Sequence, residues 1–154
     1  MEKNRQVDKL FSEFGKMIGI EELSLDQENR CVLEFDNQVV NFHFNEEQDT
    51  LMIFSDLGKI RNSDARPLYK ELLTANFYRE QMSNSALSYS PETDSVVLLL
   101  DQSIQGIGFR KFDDLIENFV NIAMAWTLKI SQTREDANPK ISGDNNTQAN
   151  WISV

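Results

Sequence analysis

Between Val7 and Phe44 the spacing of apolar residues switches from helical to strand-like, so the chain must combine a helix with a sheet that shares its core. Val7, Leu10, Phe11, Phe14, Met17 and Ile18 stand at the i, i+3, i+4, i+7 intervals of one helical face, and Gly19 is placed to end that helix. From Cys31 the period is two: Cys31, Leu33 and Phe35 point one way, Val32, Glu34 and Asp36 the other. Asp36-Asn37 reads as a tight turn into Val40, Phe42 and Phe44, with Val39, Asn41 and His43 opposite, which predicts a hairpin. A polar loop over 45–49 leads to Leu51-Met52-Ile53-Phe54, a strand that is apolar on both faces and needs a second covering layer or a partner. Leu23-Ser24-Leu25 offers a further short strand.

The second half repeats the alternation. Ser63 or Asp64 can cap a helix whose first turn tolerates Pro67, with Leu68, Leu72, Ala75 and Phe77 on its stripe and an end near Arg79 or Glu80. Runs 86–89 and 96–101 flank the turn Pro91-Glu92-Thr93-Asp94 and predict a second hairpin. A last and longest helix carries Asp113 and Asp114 at its N-terminal end and Phe112, Leu115, Phe119, Ala123, Trp126 and Ile130 along one face. The order is α-β-β-β-α-β-β-α, three helices and five strands in one domain over 1–132. Residues 133–154 lose all periodicity and are expected to form a polar flexible tail, in which Trp151 is either a docking point or simply solvated.

Charge removes one large class of function. Fifteen Lys plus Arg against 25 Asp plus Glu leave −10, and the cations are scattered singly, so no basic footprint for nucleic acid exists. The N-terminal segment is amphipathic rather than continuously apolar, and no run approaches the roughly eighteen apolar residues of a membrane span, so a soluble intracellular protein is expected. The lone Cys31 precludes an internal disulfide or a thiolate cluster and reads as a small core hydrophobe.

Reactive groups do not converge. The single histidine, His43, lies in a strand whose neighbours Phe42 and Phe44 face away from it, and it reads as an ordinary strand residue rather than a base or a ligand. Gly106-Ile107-Gly108 lacks the third glycine of a phosphate cradle, and the pairs Glu21-Glu22, Glu46-Glu47 and Asp113-Asp114 fall where solvation or capping explains them. No catalytic residue, metal site or cofactor site is assigned, and the chain is not expected to be an enzyme.

Three motifs stand in a recognisable order: Leu72-Leu73-Thr74-Ala75-Asn76 in the middle helix, Ala86-Leu87 with the turn Ser90-Pro91-Glu92-Thr93-Asp94, and Phe119-Val120, Ala123 and Trp126 in the last helix. Over about residues 3–130 this resembles the class I type III secretion chaperones, the Tir chaperone family. The resemblance implies an α+β fold whose twisted antiparallel sheet carries the first and third of three helices, a homodimer formed through the middle helix and nearby strands, and a bacterial cytoplasmic setting. It also implies that the chain binds the N-terminal region of one or more secreted effectors in extended form and keeps them secretion-competent, with the secretion ATPase or export apparatus as a further partner. The alternative is a regulatory protein of the same fold that sequesters a secretion-system regulator or another chaperone.

For the dimer interface the residues offered are Leu68, Leu72, Ala75, Asn76 and Phe77, with plain core packing as the competing reading. Effector-binding candidates are those left over once each element has buried its best face. They are Val32, Val39, Met52 and Phe54, which alternate away from Leu33, Phe35, Phe42 and Ile53, together with Leu10, Phe11 and Phe14 on the first helix. Core packing competes for each of these as well. The negative field favours capture of positively charged client stretches.

Overall fold

The computed structural model describes residues 5–60 and 65–136. The expected caps Ser63 and Asp64, and Trp151 with the rest of the tail beyond Asp136, lie outside the described residues. The elements run α1 (Gln6–Ile18), β1 (Arg30–Phe35), β2 (Gln38–Asn45), β3 (Thr50–Lys59), α2 (Arg66–Phe77), β4 (Ala86–Ser90), β5 (Ser95–Ser103) and α3 (Phe109–Asp136), in the expected order. All neighbours in the five-stranded sheet pair antiparallel, in the spatial order β1-β2-β3-β5-β4.

The period-two reading fixes the faces. Cys31 pairs with Phe42 and Leu33 with Val40, and Phe42 in turn pairs with Ile53 and Ile53 with Leu100, so one face of the sheet is a continuous apolar floor. On it sit α1 and α3, locked by edge-to-face rings: Phe11 meets Phe42 at 5.3 Å and Phe112 at 5.5 Å, and Phe14 meets Phe112 at 6.1 Å. Leu51, Ile53, Leu57, Val96 and Leu98 are fully enclosed beneath the helices. The Asp36-Asn37 turn forms as read, with positive φ at both residues (47° and 69°), the geometry a two-residue hairpin loop demands.

Several boundaries differ from expectation. Gly19 does end α1 in the left-handed conformation (φ 80°), but Met17 and Ile18, which the period places on the buried face, project beyond the sheet and are exposed. Residues 23–25 form no strand; Leu23 and Leu25 pack half-buried against the core from a loop, and Leu23 lies so close to Gly15 that a side chain there would collide with it. Helix α2 stops at Phe77 rather than at Arg79 or Glu80, because the Tyr78 N–H turns back to the carbonyls of Thr74 and Ala75 and a series of turns follows. Helix α3 begins at Phe109, where the Gly108 carbonyl accepts from the Phe112 N–H, so Asp113 and Asp114 fall in its second turn instead of at its positive end. It also continues to Asp136, past the expected limit at Gln132.

One polar cluster lies inside this apolar layer. Gln38 is buried and donates to Ser55 Oγ at 2.6 Å and to the Asp56 carbonyl at 3.2 Å, while its Oε1 accepts from Thr127 at 2.8 Å. The cluster pins the C-terminal half of α3 to the middle of the sheet.

Candidate binding surface

The pleat that buries one face exposes the other. Register alone places Val32, Asn41, Phe54, Leu99 and Ala86 in a single row that crosses every strand, with Val39, Val97 and Met52 in the flanking rows. Val32 is 61% exposed and Val39 43%, while Met52, Phe54, Val97 and Leu99 are half-buried by one another. Polar residues close both margins, Arg30, His43 and Asp101 beside Met52, Glu34 beside Val39, and the exposed Asp56 with Ser88 beside Val97, while Asn41 interrupts the central row. The single histidine therefore stands exposed on the rim of an apolar stripe.

Among the described residues the stripe ends at an open sheet edge, that of β1. The Arg30 N–H donates to Asp26 Oδ1 and its carbonyl accepts from the Asp26 N–H, both at 2.8 Å, so on the side away from β2 the start of β1 is covered by its own turn. The Arg30 N–H first, and then the Glu28 N–H, by donating to Asp26 Oδ1, hold the Asp26 carboxyl below the usual carboxylate range. Alternation then directs the main-chain N–H and C=O of Val32 and Glu34 to the same outer side. The opposite edge is treated differently. Asn76 of α2 receives the Leu87 N–H at 2.7 Å and donates to the Leu87 carbonyl at 2.9 Å, so its amide occupies the place of a further strand beside β4.

At the end of β1 the sheet adjoins a groove of about 330 Å³ between α1 and α3. Phe14, Phe35, Ile116 and Val120 form its floor, the exposed Met17 and Ile18 one wall, and Asp113, Glu117 and Asn121 of α3 the other.

The residues singled out from the sequence divide accordingly. Val32, Val39, Met52 and Phe54 share the outward sheet face, whereas Leu10 and Phe11 are enclosed between α1 and the sheet; Phe14 is buried too but lies in the groove floor. Of the residues offered for a dimer, Leu68 is buried, Leu72, Ala75 and Asn76 are half-buried against their own subunit, and Phe77 is 78% exposed. What α2 turns outward is Tyr69, Leu73 and Phe77, spaced i, i+4, i+8, with Tyr78 beside Phe77 and Tyr89 of β4 nearby. The Tyr89 hydroxyl donates to Asp94 and titrates above the ordinary phenol range mainly for that reason, with a smaller effect from Tyr69. The sequence reading named Phe77 of this surface but not Tyr69 or Leu73, and it did not name Val97 or Leu99. Signals for both are present, since α2 has two adjacent apolar stripes instead of one, and the run Val96-Val97-Leu98-Leu99-Leu100 is apolar on both faces just as β3 is.

The family model for the Tir chaperone protein (CesT) family matches residues 9–127. The chain belongs to the Tir chaperone family. Its likeness to solved structures covers about four fifths of the chain. A chain of the ExsC–ExsE complex superposes with a TM-score of 0.72 at 22% identity, covering 84% of this protein and 97% of the other. The HopA1–SchA chaperone–effector complex gives 0.68 at 10% identity, with 80% and 94% covered. The type III secretion chaperone SycH of Yersinia pestis, in complex with a fragment of YscM2, gives 0.63 at 16%, with 78% and 98% covered. No curated protein sequence matches this Tir chaperone family member. Chaperoning is a non-enzymatic role, and among the described residues no helix is long and apolar enough to cross a membrane.

Proposed function

We propose that this protein binds the N-terminal region of one or more secreted effectors in extended, non-globular form and keeps them soluble and competent for export. The observation that carries the reading is the apolar stripe across the outward sheet face, running from Ala86 to Val32 and ending at the open edge of β1. Main-chain groups at such an edge accept many sequences, and the side chains of the stripe select among them. Each large client side chain enclosed there contributes about 1.5–3 kcal/mol, while ordering the client costs about 2–5 kcal/mol, so several contacts must form together. That arithmetic favours a long wrapped segment over a short peptide.

The working form in this reading is a homodimer joined through the outward stripe of α2, Tyr69, Leu73 and Phe77, with the export apparatus or its ATPase receiving the loaded complex. The test is affinity capture of the full chain from its native cells under mild conditions, followed by mass spectrometry and limited proteolysis. The expected result is a secreted protein whose N-terminal region is protected, and whose recovery falls sharply with Val39→Asp or Phe54→Asp. Undiminished recovery with both variants sinks the assignment of the stripe. A captured transcriptional regulator or second chaperone, in place of an effector, establishes the regulatory alternative.

A further inference from the structure

We propose that the groove between α1 and α3 reads two features of the client together, a large apolar side chain and a lysine or arginine close to it. The inference rests on the client-binding reading above and adds the residue pair the client must present. The floor of the groove is formed by Phe14, Ile116 and Val120, which are buried, and its mouth by Met17 and Ile18, which are 51% and 38% exposed. Methionine adapts its shape to differing partners, as a site serving extended chains requires.

The α3 wall supplies the second feature. Asp113 and Glu117 are one helical turn apart, both line the groove, and among the described residues neither enters an ion pair. Like charges at i and i+4 destabilise a helix slightly, and a cation between them reverses that effect. The same rim disfavours other occupants. A second copy of this chain brings a net charge of −10 with it, and an anionic lipid surface carries the wrong sign. Position also points to the client: Phe35 lines the groove and ends β1, so a segment laid along the open main chain of Val32 and Glu34 passes the groove mouth next.

The experiment selects a random peptide display library on the full-length protein and on the D113K/E117K double variant, whose sites lie on the α3 surface and whose folding is checked by circular dichroism. Peptides retained by the wild type should carry a large apolar residue with Lys or Arg within about four positions, favoured by roughly threefold for each ion pair and about tenfold for both. The bias should fade as salt rises, and the double variant should switch it to Asp or Glu. Apolar peptides without charge bias on either protein, or an unchanged bias on the variant, overturn the inference and leave client binding intact. Failure of either protein to retain any peptide overturns the inference and counts against the client-binding reading as well.

Discussion

Gln38 is the residue whose loss should be felt furthest from its own position. It is enclosed, and from β2 its side chain bonds β3 and α3 at once, so its removal leaves both a cavity and polar groups without their partner. Gln38→Ala should cost about 2–3 kcal/mol in urea unfolding, whereas Thr127→Val, which deletes only one of the bonds, should cost about 1 kcal/mol. Gly15 makes the converse case. A Cβ there would stand 2.5 Å from that of Leu23 and 2.7 Å from the Ile20 carbonyl, so Gly15→Ala should destabilise by about 1–3 kcal/mol despite alanine's better helix propensity. Asp26 sets a pH dependence. Its folded pKa is depressed below the ordinary 3.8, so its contribution is fully present above that value and is lost as the pH falls through the folded pKa. Amide exchange at Arg30, compared across that interval in wild type and Asp26→Asn, should show the start of β1 loosening with acid only in the wild type. Neither Gln38 nor Gly15 stands out in the sequence, since binary patterning records which side a residue faces but not which partner reaches it across the fold.

At the scale of elements the legible part was the strand faces, and the illegible part was the helix ends. A period of two admits only two assignments for each strand, so placing Leu33, Phe42 and Ile53 inside also places Val32, Val39, Met52 and Phe54 outside, and the register agrees. Helix ends depend on single hydrogen bonds. Asp113-Asp114 has the composition of a first turn, yet the Gly108 carbonyl starts α3 earlier, and the turn-rich 104–108 segment was the available signal. Asn76 illustrates the limit for the site as well. The pattern Leu-Leu-x-x-Asn marks it as special, but whether its amide serves a second subunit or its own β4 depends on where α2 is docked, which no local pattern contains. Its paired bonds to Leu87 make it a cover for an otherwise open edge. Asn76→Ala should therefore speed amide exchange at Leu87 and lower stability by about 1–3 kcal/mol, and Asn76→Asp should be worse because a carboxylate opposes the Leu87 carbonyl. Equal exchange rates in all three proteins would show that the edge is held by something other than this side chain.

For the molecule as a whole, the proposed function divides association between the two sheet edges and the outward faces. With Asn76 of α2 bonded to the β4 edge, the proposed function assigns the β1 edge to an added client strand and the exposed aromatic side of α2 to a second subunit. Leu73 and Phe77 are 71% and 78% exposed, so replacing them leaves the subunit's core unaltered. Light scattering should give twice the chain mass for the wild type and the single chain mass for Leu73→Asp or Phe77→Asp, with unchanged circular dichroism. Salt sharpens the test. Two subunits each carrying −10 repel at low ionic strength, where the screening length is about 30 Å at 0.01 M, while at 0.15 M it contracts to about 8 Å and leaves the apolar contact to dominate. The dimer should accordingly tighten as salt is added, opposite in sign to the charge-reading contact proposed for the groove. A dimer that instead weakens with salt would have to be joined through ion pairs, and the outward face of α2 would not be its interface.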